Sequence, residues 1–333
     1  DIVTNHTGDV ISYNDKTAYL SNDLLNAKNP VWLNDLSNYH NVGPMSNCWG
    51  EGPCIQTGDF YGLDDLATEK PVVYNGWADV YGQWIKDYGI SGFRVDTARH
   101  VDDNFFKNWS PQINAAAKSV GINNFTIFGE VWDVNPINLM NYVRRNKIQT
   151  VLDFPFQRTA AEFAAGYSDA TVVENLFAYD DLYTTATSDA SNLVTFLGNH
   201  DMGRAAKIIE SKRINKASEL LPRTLLGHAL MYLTRGIPSV YYGDEVGMIG
   251  TGSGSDQLAR QDMFSTKVGI WKTEARVGSN PIGTGDAFAI TDSHPIAKYL
   301  KVLAALRESN PGLANSTMQV RYAKDELLVI SKK

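Results

Sequence analysis

The chain has 333 residues, of which 43% are hydrophobic and 20% charged, an ordinary globular composition with room for one large core and a smaller satellite. Its net charge of −7, without any dense Lys/Arg run, argues against nucleic acid or an anionic membrane as a partner. No apolar run approaches the ~20 residues of a membrane span, and a monomer is expected.

In chain order, short apolar runs alternate with helical patterns, the signal for parallel strands joined by crossover helices. The chain opens on DIVTNH, whose first residue, Asp1, already begins a motif. Residues 7–75 are rich in Asn, Gly and Asp with little helical periodicity, and so predict a very long loop or a small inserted domain. The two cysteines, Cys48 and Cys54, fall there in NCWGEGPC. No His/Cys set accompanies them, so a local disulfide in an exported protein is preferred to a zinc site or two free thiols.

From residue 76 to 88, Trp77, Val80, Tyr81, Trp84, Ile85 and Tyr88 recur at helical spacing. Strands are predicted at 90–96, 126–131, 151–156, 193–197 and 239–243, apolar on both faces as buried parallel strands are. Further helical stripes cover 103–119, 222–235 and 295–307, with Pro222 in the first turn of its helix. Residues 249–293 read as a long surface loop, and MQVRYAKDELLVISKK as the first hairpin of a β-domain.

The chemistry lies where acids meet these strands. Asp96 ends one strand, Glu130 ends the next, and Asp201 follows a third. In an α/β barrel the C-terminal strand ends share one face, where active sites are built. Any one such acid is ordinarily a solvated charge or a helix cap. Three at strand ends, two accompanied by His or Arg, suit glycosidic cleavage, in which one carboxylate attacks the anomeric carbon and a second acid protonates the leaving oxygen. Arg94, two residues before Asp96, is on the same strand face and placed to keep Asp96 ionised. Glu130 has Phe128 and Trp132 beside it and no cation adjacent in sequence.

The runs DIVTNH, GFRVDTARH, FGEVWD and FLGNHD, in this order, resemble the four signature regions of the α-amylase family (family 13 of the glycoside hydrolases). GLDDLAT is similar to a fifth region in that family's inserted domain. The resemblance covers essentially the whole chain. It implies an α/β fold, a (β/α)8 TIM barrel with an inserted domain B after strand 3 and a C-terminal β-sandwich. Here the barrel would take residues 1–6 and 76–307, domain B 7–75, and the β-domain would begin at 308–333. The first two barrel strands are missing, so the chain is expected to be a fragment, insoluble or inactive when expressed alone.

By motif, Asp96 resembles the family's nucleophile, Glu130 its general acid/base, and Asp201 the carboxylate that fixes sugar hydroxyls in the transition state. His6 and His200 match the histidines that hydrogen-bond the sugar at the cleavage subsite, whereas His40, His228 and His294 match no signature and are expected to be structural. Arg94, Arg99 and His100 complete the expected sugar contacts, with Arg99 standing where α-amylases commonly carry Lys. Asp256 and Arg260 resemble an outer sugar-holding pair, although an ordinary surface ion pair explains them as well. The resemblance also implies Ca²⁺ between Asn5, Asp65 and the backbone carbonyl of His100, an all-oxygen set suited to a hard cation; Asp64 is an alternative to Asp65.

The implied activity is retaining endo-hydrolysis of α-1,4-glucosidic bonds in starch-like α-glucans by a secreted enzyme. A pullulanase, a cyclodextrin-acting hydrolase or a glucanotransferase would use the same machinery with another linkage or acceptor. A non-catalytic barrel ectodomain is disfavoured, because such relatives lose the acids and carry a membrane span.

Overall fold

The computed structural model describes residues 1–15, 17–45, 53–213, 217–250 and 256–333. The chain divides by its contacts into two compact units, residues 1–132 with 138–151, and 133–137 with 152–333. Among the described residues no helix is long and apolar enough to cross a membrane.

The first unit is organised by a parallel sheet. Its elements are β1 (Ile2–Val3), β2 (His6–Thr7), β3 (Ser12–Asn14), β4 (Thr17–Tyr19), β5 (Asp64–Asp65), α1 (Pro71–Tyr88), β6 (Gly92–Asp96), α2 (Phe105–Ser119), β7 (Thr126–Gly129), α3 (Pro136–Arg144) from residue 138 onward, and β8 (Thr150–Val151). Strands β1, β6, β7 and β8 lie side by side in that order, all parallel. Val3 is level with Asp96, and Val95 with Gly129. That register sets the ends of β6 and β7 beside each other.

Helix α1 starts earlier than its stripe predicted, because Pro71 occupies the first turn, where a missing N–H costs nothing. It stops at Gly89, whose left-handed φ of 65° lets its N–H cap the Ile85 carbonyl. Trp77 Nε1 donates to the Thr4 carbonyl at 3.0 Å, and the Tyr81 hydroxyl to that of Val3 at 2.5 Å, so α1 is tied to the first strand by its buried face. Below the sheet, Phe93, Phe105, Phe106, Trp109 and Phe125 form a buried aromatic cluster.

Residues 7–75 are not one structureless loop. Strands β3 and β4 form a hairpin, and β2 pairs antiparallel with β5 in the register His6↔Asp65. Cys48 lies outside the described residues, so the expected Cys48–Cys54 pairing has no structural account.

The second unit contains α4 (Phe154–Ala164), α5 (Thr171–Phe177), β9 (Val194–Thr195), α6 (Ala205–Arg213), α7 (Ala217–Leu233), β10 (Ile237–Pro238), α8 (Gly269–Thr273), α9 (Pro295–Ser309), α10 (Gly312–Asn315) and the hairpin β11 (Met318–Lys324) with β12 (Leu327–Lys332). Strands β9 and β10 are parallel, and Leu152 bridges Val194 in the same sense. Apolar faces of α4, α5 and α7 pack together, with Met318, Val320, Ala323 and Leu328 of the hairpin against them.

Four expectations are corrected. Residues 154–156 are helical rather than strand, because the Asp153 carboxylate accepts the Phe156 N–H at 2.9 Å and starts α4. The strand expected at 239–243 lies two residues earlier, at Ile237–Pro238, and the chain then turns through left-handed glycines at 243 and 247. Pro222 is interior to α7, past its first turn. Within 249–293, the described residues carry their own small core, in which Met263 and Ala287 are buried with Val246 and Met248.

Candidate active site

In the first unit, one guanidinium gathers two of the three predicted acids, Asp96 and Glu130, together with Asp1. Arg94 Nη1 donates to Asp96 Oδ1 at 2.5 Å and to Asp1 Oδ1 at 2.9 Å. Its Nη2 stands 2.9 Å from Glu130 Oε1, as a charge contact rather than an aligned hydrogen bond. Glu130, which has no cation beside it in sequence, has one in space: Arg94 on β6 faces Phe128 on β7, two positions short of Glu130. Glu130 is buried, and its amide continues the ladder to the Val95 carbonyl at 2.8 Å. Its Oε2 accepts the Thr97 N–H at 3.2 Å.

Thr97 has φ of +47°, a conformation a β-branched residue rarely adopts. The strain is local to the acids and aims the amide at Glu130. Gly129 is required by crowding, since a Cβ there would come within 2.4 Å of Ile148 and 2.8 Å of Ala98. Asp1, Thr97 and Phe60 were not singled out in the sequence, where only the DIVTNH motif hinted at Asp1.

Two histidines of this unit, His6 and His100, meet on Phe60. Its ring centroid is 6.0 Å from that of His6, in a stacked arrangement with the planes 19° apart, and 4.9 Å from that of His100. Burial pushes the His6 imidazole below its usual range, while Asp96 pulls the other way. Burial likewise pushes His100 down to about 4. His100 Nδ1 lies 3.0 Å from the Ile55 carbonyl, so its ring is engaged by the insert. Arg99 Nη1 donates to the Trp132 carbonyl at 2.7 Å.

The metal candidates lie in the same unit. Asn5 and Asp65 are both buried, and neither Asn5 side-chain polar atom nor Asp65 Oδ1 has a hydrogen-bond partner. Asp64 differs: Lys28 holds it at 2.6 Å, and the Val10 and Ile11 amides complete its contacts at 3.1 Å. Among the described residues no group of three or more His, Cys, Asp or Glu converges to hold a metal. The candidate set instead combines one carboxylate, one amide and one main-chain carbonyl.

In the second unit, Asp201 follows β9 within a turn closed by reciprocal Asn199–Gly203 hydrogen bonds. His200 Nε2 lies 3.2 Å from Asp201 Oδ2, and Arg260 Nη2 donates to Asp201 Oδ1 at 3.0 Å. Arg260 also meets Asp256 at 3.3 Å and the His200 carbonyl at 3.0 Å. The Asp256–Arg260 pair therefore exists, with its guanidinium turned onto Asp201. Below it, fully buried Arg204 stacks on Tyr241 and Tyr242 and donates to Gln261 at 3.0 Å. His228 is buried with Nδ1 2.8 Å from the Thr224 carbonyl, and His294 caps α9, both structural as expected.

Acids at the ends of parallel strands, with helices between, define an α/β protein with a carboxylate site. The chain belongs to the α-amylase family, whose catalytic-domain profile ("Alpha amylase, catalytic domain") matches residues 1–278. It is 35% identical to an α-amylase of Streptomyces lividans over 98% of this chain and 39% of that protein. It is 27% identical to a cyclomaltodextrin glucanotransferase of Klebsiella oxytoca, covering 89% of this chain and 45% of the other. Its backbone is similar to the crystal structure of an α-amylase from Geobacillus thermoleovorans, with a TM-score of 0.71 and 24% identity, over 100% of this chain and 62% of that one. The chain thus spans less than two thirds of each of these relatives.

Proposed function

We propose that this chain carries the machinery for retaining hydrolysis of α-1,4-glucosidic bonds within starch-like α-glucans. The observation that carries this reading is the Arg94 clamp, which holds Asp96 and Glu130 on two arms of one guanidinium. Two carboxylates on one guanidinium fit the pair of acids that glycosidic cleavage uses. Asp96 is the nucleophile and forms the glycosyl ester. Glu130 protonates the departing oxygen, then takes a proton from the water that hydrolyses the ester. Asp201 holds sugar hydroxyls as the ring flattens, and His6 and His200 add directional hydrogen bonds there. Arg99, His100, Asp256 and Arg260 are assigned to flanking sugar contacts.

The same reading assigns a (β/α)8 barrel to 1–6 and 76–307, domain B to 7–75 and a β-domain beginning at 308; the catalytic-domain match over residues 1–278 supports the barrel fold. Calcium is part of the same reading, with Asn5, Asp65 and the His100 carbonyl as ligands. The unpartnered buried oxygens of Asn5 and Asp65 support it, and the saturated contacts of Asp64 favour Asp65 over its neighbour. A bound Ca²⁺ would neutralise the buried carboxylate and pin the insert. Export of a monomeric protein with a Cys48–Cys54 disulfide completes the proposal.

Starch digestion by the full-length protein, followed by proton NMR, tests the mechanism. The first-formed reducing ends should be α, and Asp96→Asn and Glu130→Gln should each abolish turnover. First-formed β ends, or an active Asp96→Asn enzyme, would overturn it. The glucanotransferase relative supports a second reading in which a sugar intercepts the same ester. Cyclic products from starch would select that reading, whereas cleavage of pullulan or cyclodextrin would indicate the other hydrolases.

A further inference from the structure

His40 matches no signature motif, yet it makes the shortest polar contact around the candidate calcium ligands. Its Nδ1 lies 2.5 Å from Asp65 Oδ2, and its Nε2 lies 3.1 Å from Glu69 Oε2. The backbone repeats the pairing, since His40 N–H donates to the Asp65 carbonyl at 3.2 Å and Tyr39 bridges Leu66. Asp65 is also held from its other end, where its amide donates to Asp59 Oδ1 at 3.2 Å. The ring and the carboxylate are therefore fixed relative to one another by main chain as well as side chain.

We propose that His40 is a positioning residue for calcium: it occupies Oδ2 of Asp65 and so presents Oδ1, with the Asn5 amide, to the cation. This inference rests on the calcium reading given above. A carboxylate offers two equivalent oxygens and turns about its last bond unless one is engaged. Here Oδ2 is engaged, and Oδ1 is buried without a partner, as is Asn5 Oδ1. Glu69, which is partly exposed, grips the far side of the ring and prevents it from swinging away from Asp65. Partners behind a ligand commonly change metal affinity by about 10- to 100-fold when removed. A purely structural His40 would instead alter stability alike with and without calcium.

The test is calcium titration by calorimetry on the full-length protein after chelation, with melting temperatures in EDTA measured alongside. Wild type should bind at this site and Asp65→Asn should lose it. His40→Ala should bind about 10- to 100-fold more weakly. His40→Asn, whose amide reaches the place of Nδ1, should recover most of that loss. If His40→Ala fails to fold, His40→Gln takes its place, since its longer amide reaches toward Glu69 instead, and the same weakening is expected. Unchanged or tighter binding in His40→Ala (or His40→Gln), with the site still lost in Asp65→Asn, overturns the inference alone. No calcium binding by wild type, or full binding by Asp65→Asn, overturns the calcium reading and this inference together.

Discussion

One guanidinium serves three carboxylates, because Arg94 meets Asp1 just before β1, Asp96 at the end of β6 and Glu130 just after β7. A lysine would keep the charge but not the fork, and an ammonium cannot grip two acids along two fixed directions. Arg94→Lys should therefore fold, with an unchanged circular dichroism spectrum, and lose about 10²- to 10³-fold in kcat, the usual cost of removing one preorganised electrostatic group. Steady-state kinetics on a maltooligosaccharide would show this, and a kcat equal to wild type would remove Arg94 from the mechanism. Elsewhere, buried Arg235 is shared between Asp153 and Asp180, at 2.8 Å from the latter. Burial pushes Asp180 up to about 6, with Arg235 opposing. A carboxyl raised in the folded state binds its proton more tightly there, so its contribution to stability is greatest below about pH 4 and falls as pH rises to about 6. The stability of wild type relative to Asp180→Asn, from urea unfolding, should accordingly fall between pH 4 and pH 7. A difference that stays constant or grows would contradict the assignment.

At the scale of elements, α1 shows how a helix can be built around a missing side chain. A Cβ on Gly76 would lie 2.4 Å from Trp32 Cε2 and 2.6 Å from Cζ2, ring atoms of an indole already packed edge-on to Trp77 at 5.3 Å. Alanine would gain about 1 kcal/mol of helix propensity, but crowding of this kind costs about 1–3 kcal/mol. Gly76→Ala should therefore be destabilised by about 1 kcal/mol in chemical denaturation; a more stable variant would show that Trp32 moves aside freely. Elements also explain the misplaced boundaries. Phe154, Pro155 and Phe156 look like strand because apolar runs are ambiguous, and the Asp153 cap decides for helix. Pro222 looks like a helix start, yet α7 runs past it from Ala217, helped by buried Leu220, Thr224 and His228 on one face.

At the scale of the whole molecule, the calcium reading has a thermodynamic consequence. A cation bound only by the folded state adds about 2.7 kcal/mol when present at 100 times its Kd. Calorimetric melting of the full-length protein should thus occur at a lower temperature in EDTA than in calcium, and magnesium, which favours tight octahedral shells, should restore little. Equal melting temperatures in both solutions would rule out a structural calcium.

Much of this protein is determined locally. The alternation of strand and helix, the carboxylates Asp96 and Glu130 at strand ends, and the family motifs are all legible in the sequence, because side-chain periodicity and short motifs need only a few neighbouring residues. Tertiary structure decided which groups meet. The register of β6 against β7 brought Arg94 to Glu130. The pairing of β2 with β5 and the reach of Lys28 and His40 separated Asp64 from Asp65. Each of these partners comes from a distant stretch of chain, and only folding sets the distance over which a charge or hydrogen bond acts.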